Sequence, residues 1–182
     1  MLYVFLANGF EEIEALTVVD ILRRLGIEVA TVSNSSDECV TGSHGIVVKA
    51  DMVFDEADCS KADGLILPGG LPGATNLQAN EALCRALLEA HEGRKLVAAI
   101  CAAPMVLGSL GILRGRRATC YPGMEAKLEG AIVTEQMAVT DGHIVTGRGP
   151  AAAAEFAFAI GRKFADGATL ESVRAGMLFE NC

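Results

Sequence analysis

Tryptophan is missing from this 182-residue chain, and Tyr (2), Phe (7), Pro (5) and His (3) are scarce. With so little aromatic mass, the 51% hydrophobic content rests on Ala, Val, Leu and Ile. That composition favours β-branched strands beneath Ala-rich helices over a β-sandwich. No apolar run approaches the roughly twenty residues that span a bilayer. Basic residues are outnumbered, 15 against 23, for a formal net charge of -8. A field of that sign repels phosphate backbones and anionic membranes, so neither nucleic acid nor a membrane is expected as a partner. Met1–Ala7 is apolar but has no basic leader and runs into Asn8-Gly9 and an acidic stretch, so it reads as a first strand and not a signal peptide. The six cysteines (39, 59, 84, 101, 120 and 182) form no CxxC and no Cys/His pair at ligand spacing. No metal and no cofactor is therefore expected. Cys84 lies in a helical pattern and Cys101 ends a strand, unlike the loop-borne framework of a secreted mini-protein, and reduced thiols in a cytoplasm fit better. Repeats, low-complexity segments and linkers are all lacking, so residues 1–182 are read as one domain.

What is present alternates between strands and helices. Leu2–Ala7 reads as a buried strand, and Glu11–Leu25 has helical spacing through Ile13, Leu16, Val19 and Leu22, stopping at Gly26. Ile27–Ser33 follows as a strand, and Val40–Phe54 alternates as extended chain. Gly64–Leu67 is a short apolar strand halted by Pro68-Gly69-Gly70. Asn80–Glu92 is a helix capped by Asn80, and Leu96–Ile100 is apolar throughout, as in a parallel strand covered on both faces. A helix over Ala103–Leu110, a strand near Ala118, a hairpin through Asp141-Gly142, and helices over Ala151–Phe164 and Thr169–Met177 complete the reading. This order implies an α/β fold with a mostly parallel, doubly wound sheet. Ligands in such sheets bind beyond the strands' carboxyl ends. Four interruptions fall there: Asn8-Gly9, Pro68-Gly69-Gly70, Cys101-Ala102-Ala103-Pro104 and Gly147-Arg148-Gly149-Pro150.

A thiol between a buried strand and a helix start meets unpaired N–H groups and the positive end of the helix dipole, so Cys101 is expected to be acidified and nucleophilic. The paired glycines 69 and 70 let backbone amides approach a ligand, and Gly70 with the amide of Ala102 would form an oxyanion hole. Glu11, Glu12 and Glu14 spread around a helix, so most are expected to be solvated first-turn charges while one projects into the pocket, where burial would raise its pKa. Gly147–Ala152 matches the loose dinucleotide fingerprint, but no βαβ half can follow it, and Arg148 is kept only as a pocket cation. His91 is expected at an exposed helix end and His143 inside the hairpin, and no histidine has the context of a Cys/His base.

With these residues assembled, the chain resembles the ThiJ/PfpI superfamily, in the branch of the parkinsonism-associated protein deglycase. The resemblance rests on Asn8–Glu14, on Leu67-Pro68-Gly69-Gly70 with Gly73-Ala74, on Ala98–Pro104 and on Thr146–Pro150, in that order. It implies a flavodoxin-like α/β/α sandwich, a protonated glutamate at Glu14 beside a reactive Cys101, backbone donors at Gly70 and Ala102, and a homodimer. Gly69, Tyr121, His44 and Arg148 are the further residues expected to border the pocket. Tyr121-Pro122 stands where relatives often have His before Pro, and His44 where they often have Arg. Family peptidases have His directly after the nucleophile, where this chain has Ala102. The resemblance implies a cysteine-dependent glyoxalase or deglycase acting on methylglyoxal, a small reactive carbonyl, or its early protein adducts. The alternative is a redox sensor or redox-regulated chaperone that uses oxidation of Cys101. An amidotransferase-like hydrolase or peptidase is less well supported, because it normally needs the missing histidine.

Overall fold

The structure is a computed structural model that describes residues 1–179. Its strands are β1 Leu2–Leu6, β2 Val29–Ser33, β3 Cys39–Thr41, β4 Val47–Lys49, β5 Met52–Val53, β6 Gly64–Leu67, β7 Leu96–Ile100, β8 Arg117–Ala118, β9 Ile132–Val133, β10 Ala138–Asp141 and β11 Ile144–Gly147. Its α-helices are α1 Glu12–Arg24, α2 Gly73–Gln78, α3 Glu81–Glu92, α4 Pro104–Ser109, α5 Ala153–Gly161 and α6 Gly167–Gly176. The main sheet has the order β10-β11-β7-β6-β1-β2-β5, and its pairs are parallel except β10 with β11. Every residue of β1, β2, β6, β7 and β11 is buried, as a sheet covered on both faces requires. α1 packs on α5, and α2 packs on α3 and α4. The result is a flavodoxin-like α/β/α sandwich. From β1 the chain winds outward to β2 and β5, then returns to β6 on the other side of β1, which places the topological switch between β1 and β6. No helix among the described residues is long and apolar enough to cross a membrane.

Several readings need correcting. Ile13 and Leu16, expected on the buried stripe of α1, are 57% and 40% exposed, while Ala15, Val18, Val19, Ile21 and Leu22 are buried. The helix is turned so that Glu14 occupies the same stripe as Val18, Ile21 and Leu25, at the 3.6-residue repeat. Val40–Phe54 is not one extended run. β3 and β4 form a separate antiparallel hairpin, only β5 joins the main sheet, and Phe54–Glu56 is a 3-10 turn. Alternation looks the same in a hairpin arm and an edge strand. The short elements α2 and β9 were not foreseen, being too brief to show a period. His91, expected to be exposed, is half-buried, with Nδ1 2.9 Å from Nε2 of His143. The five cysteines among the described residues are free, and Cys182 lies outside them.

Candidate active site

Strand ends converge as anticipated. Cys101 follows β7 directly and takes a left-handed backbone conformation, φ 66°, rare for a residue with a Cβ. Its N–H donates to Gly147 O after β11 at 2.9 Å, and its carbonyl accepts from Tyr121 N–H at 2.9 Å. Both neighbours therefore hold the turn from which α4 departs three residues later. The N–H groups of Gly70 and Ala102 face the thiol and pull its pKa down. Gly70 has φ 84°, and a Cβ there would lie 2.5 Å from Glu11 N. A Cβ on Gly69 would lie 2.6 Å from both Cys101 Cβ and Glu14 Oε2. Glycine is thus required at both positions for the loop after β6 to meet the thiol.

Glu14 is 0% exposed. Its Oε2 accepts from Gly69 N–H at 2.8 Å, while Oε1 is buried with no hydrogen-bond partner. Burial raises the carboxyl most, Cys101 and the Gly69 amide oppose this, and ionised Glu11 adds to it, leaving Glu14 at about 7. The thiol behaves differently from expectation. Burial, the charge of Glu14 and the bond to its carboxylate outweigh the Gly70 and Ala102 amides and push Cys101 up to about 12. Helix-end amides therefore do not acidify Cys101 on their own. When Glu14 holds the proton, however, its charge no longer opposes the thiolate and its hydrogen bond reverses, the carboxyl becoming the donor. The two groups titrate as a pair, and the first proton lost from it leaves near neutrality.

The other two glutamates are not solvated, contrary to expectation, because backbone amides and an imidazole replace water. Glu11 caps α1, its Oε2 accepting from Glu14 N–H at 2.7 Å. Glu12 Oε1 accepts from His44 N–H at 2.7 Å, and Oε2 lies 2.7 Å from His44 Nδ1 and 3.2 Å from Ser43 Oγ. Burial would raise Glu12, but the His44 bonds lead those that hold it at about 2. His44 is thereby committed to Glu12. Its side chain is 70% exposed and braces the β3–β4 hairpin against α1. Arg148 is held by Glu135, with Nη1 donating to Glu135 O and lying 3.9 Å from the Glu135 carboxylate. Tyr121 does border the site, bonded to Cys101 through its backbone with its ring against Gly149. Cys120, which sequence reasoning passed over, is buried beside Tyr121, and burial, then Glu125, pushes its thiol up to about 11. Glu11, Glu12 and His44 offer ligand atoms within 4.8 Å of one another, the closest approach to a metal-ligating group among the described residues. Glu12's oxygens are engaged there by Ser43 and His44.

A thiol on a strained elbow, beside a buried carboxyl and near the switch point of an open α/β sheet, defines a cysteine-centred α/β protein. Residues 1–163 match the DJ-1/PfpI family, and the chain belongs to that family. The protein dj-1beta of Drosophila melanogaster is 37% identical over 96% of this chain and 95% of its own length. A deglycase of Pyrococcus horikoshii is 36% identical over 80% of this chain and 87% of its own. The solved structure of oxidized Toxoplasma gondii DJ-1 superposes with a TM-score of 0.92 at 34% identity, covering 97% of both chains. The chain spans only 36% of the length of DJ-1 homolog B of Arabidopsis thaliana, to which it is 38% identical.

Proposed function

We propose that the protein is a cysteine-dependent glyoxalase or deglycase that converts methylglyoxal, or its early adducts with thiols and amines, to a lactate-type product. The observation that carries this reading is Glu14, fully buried, anchored through Oε2 to the Gly69 amide and interacting through its carboxyl with the Cys101 thiol. A carboxyl held at about 7 can give and take protons at neutrality. The Glu14 carboxylate takes the thiol proton as Cys101 Sγ adds to the aldehyde carbon, and passes it to the alkoxide, which faces the Gly70 and Ala102 amides. The Glu14 carboxylate then removes the C1 proton of the hemithioacetal and returns it at C2 while the hydroxyl proton passes from the C1 oxygen to the C2 oxygen, so that C1 is oxidised and C2 reduced with no external redox partner. Water cleaves the resulting thioester, releasing lactate and restoring the thiol. The archaeal relative's name supports this substrate class.

The unpartnered Oε1 equally suits a sulfinate on Cys101, so a redox-sensing or redox-regulated chaperone role of the same residue is the second reading. We place the protein in a reducing, cytoplasmic setting and as a homodimer. Exposed Ile13 and Leu16 on α1, with Ile46 and Val47 in the hairpin that His44 ties to it, offer an apolar surface for a second copy. The deciding experiment is lactate release from methylglyoxal without glutathione or metal. Wild type should turn over and Cys101→Ser should not. Selective oxidation of Cys101 without any turnover would replace the enzyme reading with the sensor reading.

A further inference from the structure

At the opposite end of the sheet, the amino ends of β7 and β11 border a cleft of about 640 Å³. Leu96 opens β7 five residues before Cys101, which separates the cleft from the thiol by about 16 Å along the strand. Arg94, Lys95, Arg116, Lys163 and His143 line it, with Asp63 as the one acid. Four of the chain's 15 basic side chains thus meet in one place in a protein of net charge -8.

Their charge is largely uncompensated. Asp63 is taken by the Met1 ammonium, and Arg116 pairs with Asp141 at 3.0 Å. Among the described residues, Arg94, Lys95 and Lys163 have no carboxylate partner. Lys95 Nζ instead donates to Ser60 O and Lys163 Nζ to Gly142 O, both at 2.6 Å. These neutral carbonyls fix the ammonium groups without cancelling them. A second observation comes from the imidazoles. His143 and His91 share one hydrogen bond at 2.9 Å, so one ring donates and the other accepts. Burial first, then for His143 its partner His91, Arg116, Arg94 and Lys163, disfavours the cationic form, and Arg116 acts likewise on His91 against a weaker pull from Glu92. The cations thus converge beside two histidines that burial and neighbouring charge disfavour as cations, which leaves the cleft complementary to an anion.

We propose that this cleft is a second ligand site, distinct from the Cys101 centre, that binds a small phosphate-bearing anion. Two guanidinium groups supply planar forks and two ammonium groups point charges, donors suited to phosphate oxygens. The negative long-range field still turns away nucleic acid, whereas a small ligand inside the cleft feels chiefly the charges within a Debye length, about 8 Å at physiological salt.

The test is calorimetric titration of the intact protein with inorganic pyrophosphate at pH 7 and low ionic strength. Saturable 1:1 binding that weakens as KCl is added is expected. Arg94→Ala combined with Lys163→Met should weaken it at least tenfold, and Arg94→Lys should retain most of it. Arg94 and Lys163 are exposed, so the variants should keep the wild-type Tm. Cys101→Ser should bind as wild type does. Nuclear magnetic resonance should show the His91 and His143 titrations moving up when pyrophosphate is added. Absence of saturable binding, unchanged affinity in the double variant, lost affinity in Cys101→Ser or unmoved histidine titrations would each overturn the proposal.

Discussion

Replacing Glu14 by Gln should stabilise the protein while disabling it. In the folded chain the carboxyl is lifted from 4.5 to about 7 by burial, so ionising it there costs about 3 kcal/mol more than in the unfolded chain. Below pH 4.5 both states hold the proton and the group adds no penalty. Between pH 4.5 and 7 the unfolded state releases its proton first, and wild type loses about 1.4 kcal/mol per pH unit relative to a non-titrating residue. The gain of Glu14→Gln over wild type should therefore grow from acid to neutral pH and level off above 7. For a domain of this size, about 3 kcal/mol corresponds to a Tm difference of about 6–12 °C. The amide oxygen can still accept from Gly69 N–H, and any penalty for the amide nitrogen facing the thiol is the same at every pH. Urea unfolding from pH 5 to 8.5 reads this directly. A stability difference that stays flat with pH would refute the claim that the buried carboxyl titrates with a raised pKa.

The same substitution removes the negative charge that pushes the thiol up, so Cys101 in Glu14→Gln should alkylate faster at pH 8 than in wild type even though turnover collapses. In wild type, the rate of iodoacetamide labelling at Cys101 should keep rising well above pH 9, and a single rise centred near 9 would show that thiol and carboxyl are not coupled. Gly70→Ala should cost more than the about 1–2 kcal/mol of its left-handed backbone alone, since its Cβ would meet Glu11 N at 2.5 Å, and thermal unfolding should fall accordingly. His44→Ala should raise the Glu12 carboxyl; because that carboxyl is depressed to about 2 in the folded state, the stability lost is what wild type shows above pH 4.5 and gives up on acidification, so the variant's deficit should be largest near neutrality and vanish toward pH 2.

Some of this molecule is legible residue by residue before any coordinates. Gly64–Leu67 and Leu96–Ile100 declare themselves because burial on both faces excludes polar interruptions, and Pro68 closes the first and Cys101 the second. Cys101 is legible for the same reason, standing where an apolar strand gives way to Ala-Ala-Pro. The carboxyl beside it is not. Three glutamates within four residues look like a solvated helix start, and only a family resemblance singles out Glu14. The clue lay in register: Glu14 continues the Val18, Ile21 and Leu25 stripe, an acid where the pattern asks for an apolar residue. The partners of His44 and Arg148, Glu12 and Glu135, are matched by tertiary geometry and could not be read locally. The His91–His143 contact joins residues 52 apart and leaves no local trace.

The backbone of Cys101 is clamped on both flanks, its N–H by Gly147 and its carbonyl by Tyr121. The unusual φ angle therefore cannot relax by local fraying, and unwinds only if β7 parts from its neighbours. The Cys101 thiol stands on a rigid anvil and not a swinging arm. Its amide proton should be among the slowest to exchange with solvent, on a par with the central strands. Damage that merely loosens this seam would then silence the chemistry while leaving the rest of the sheet assembled.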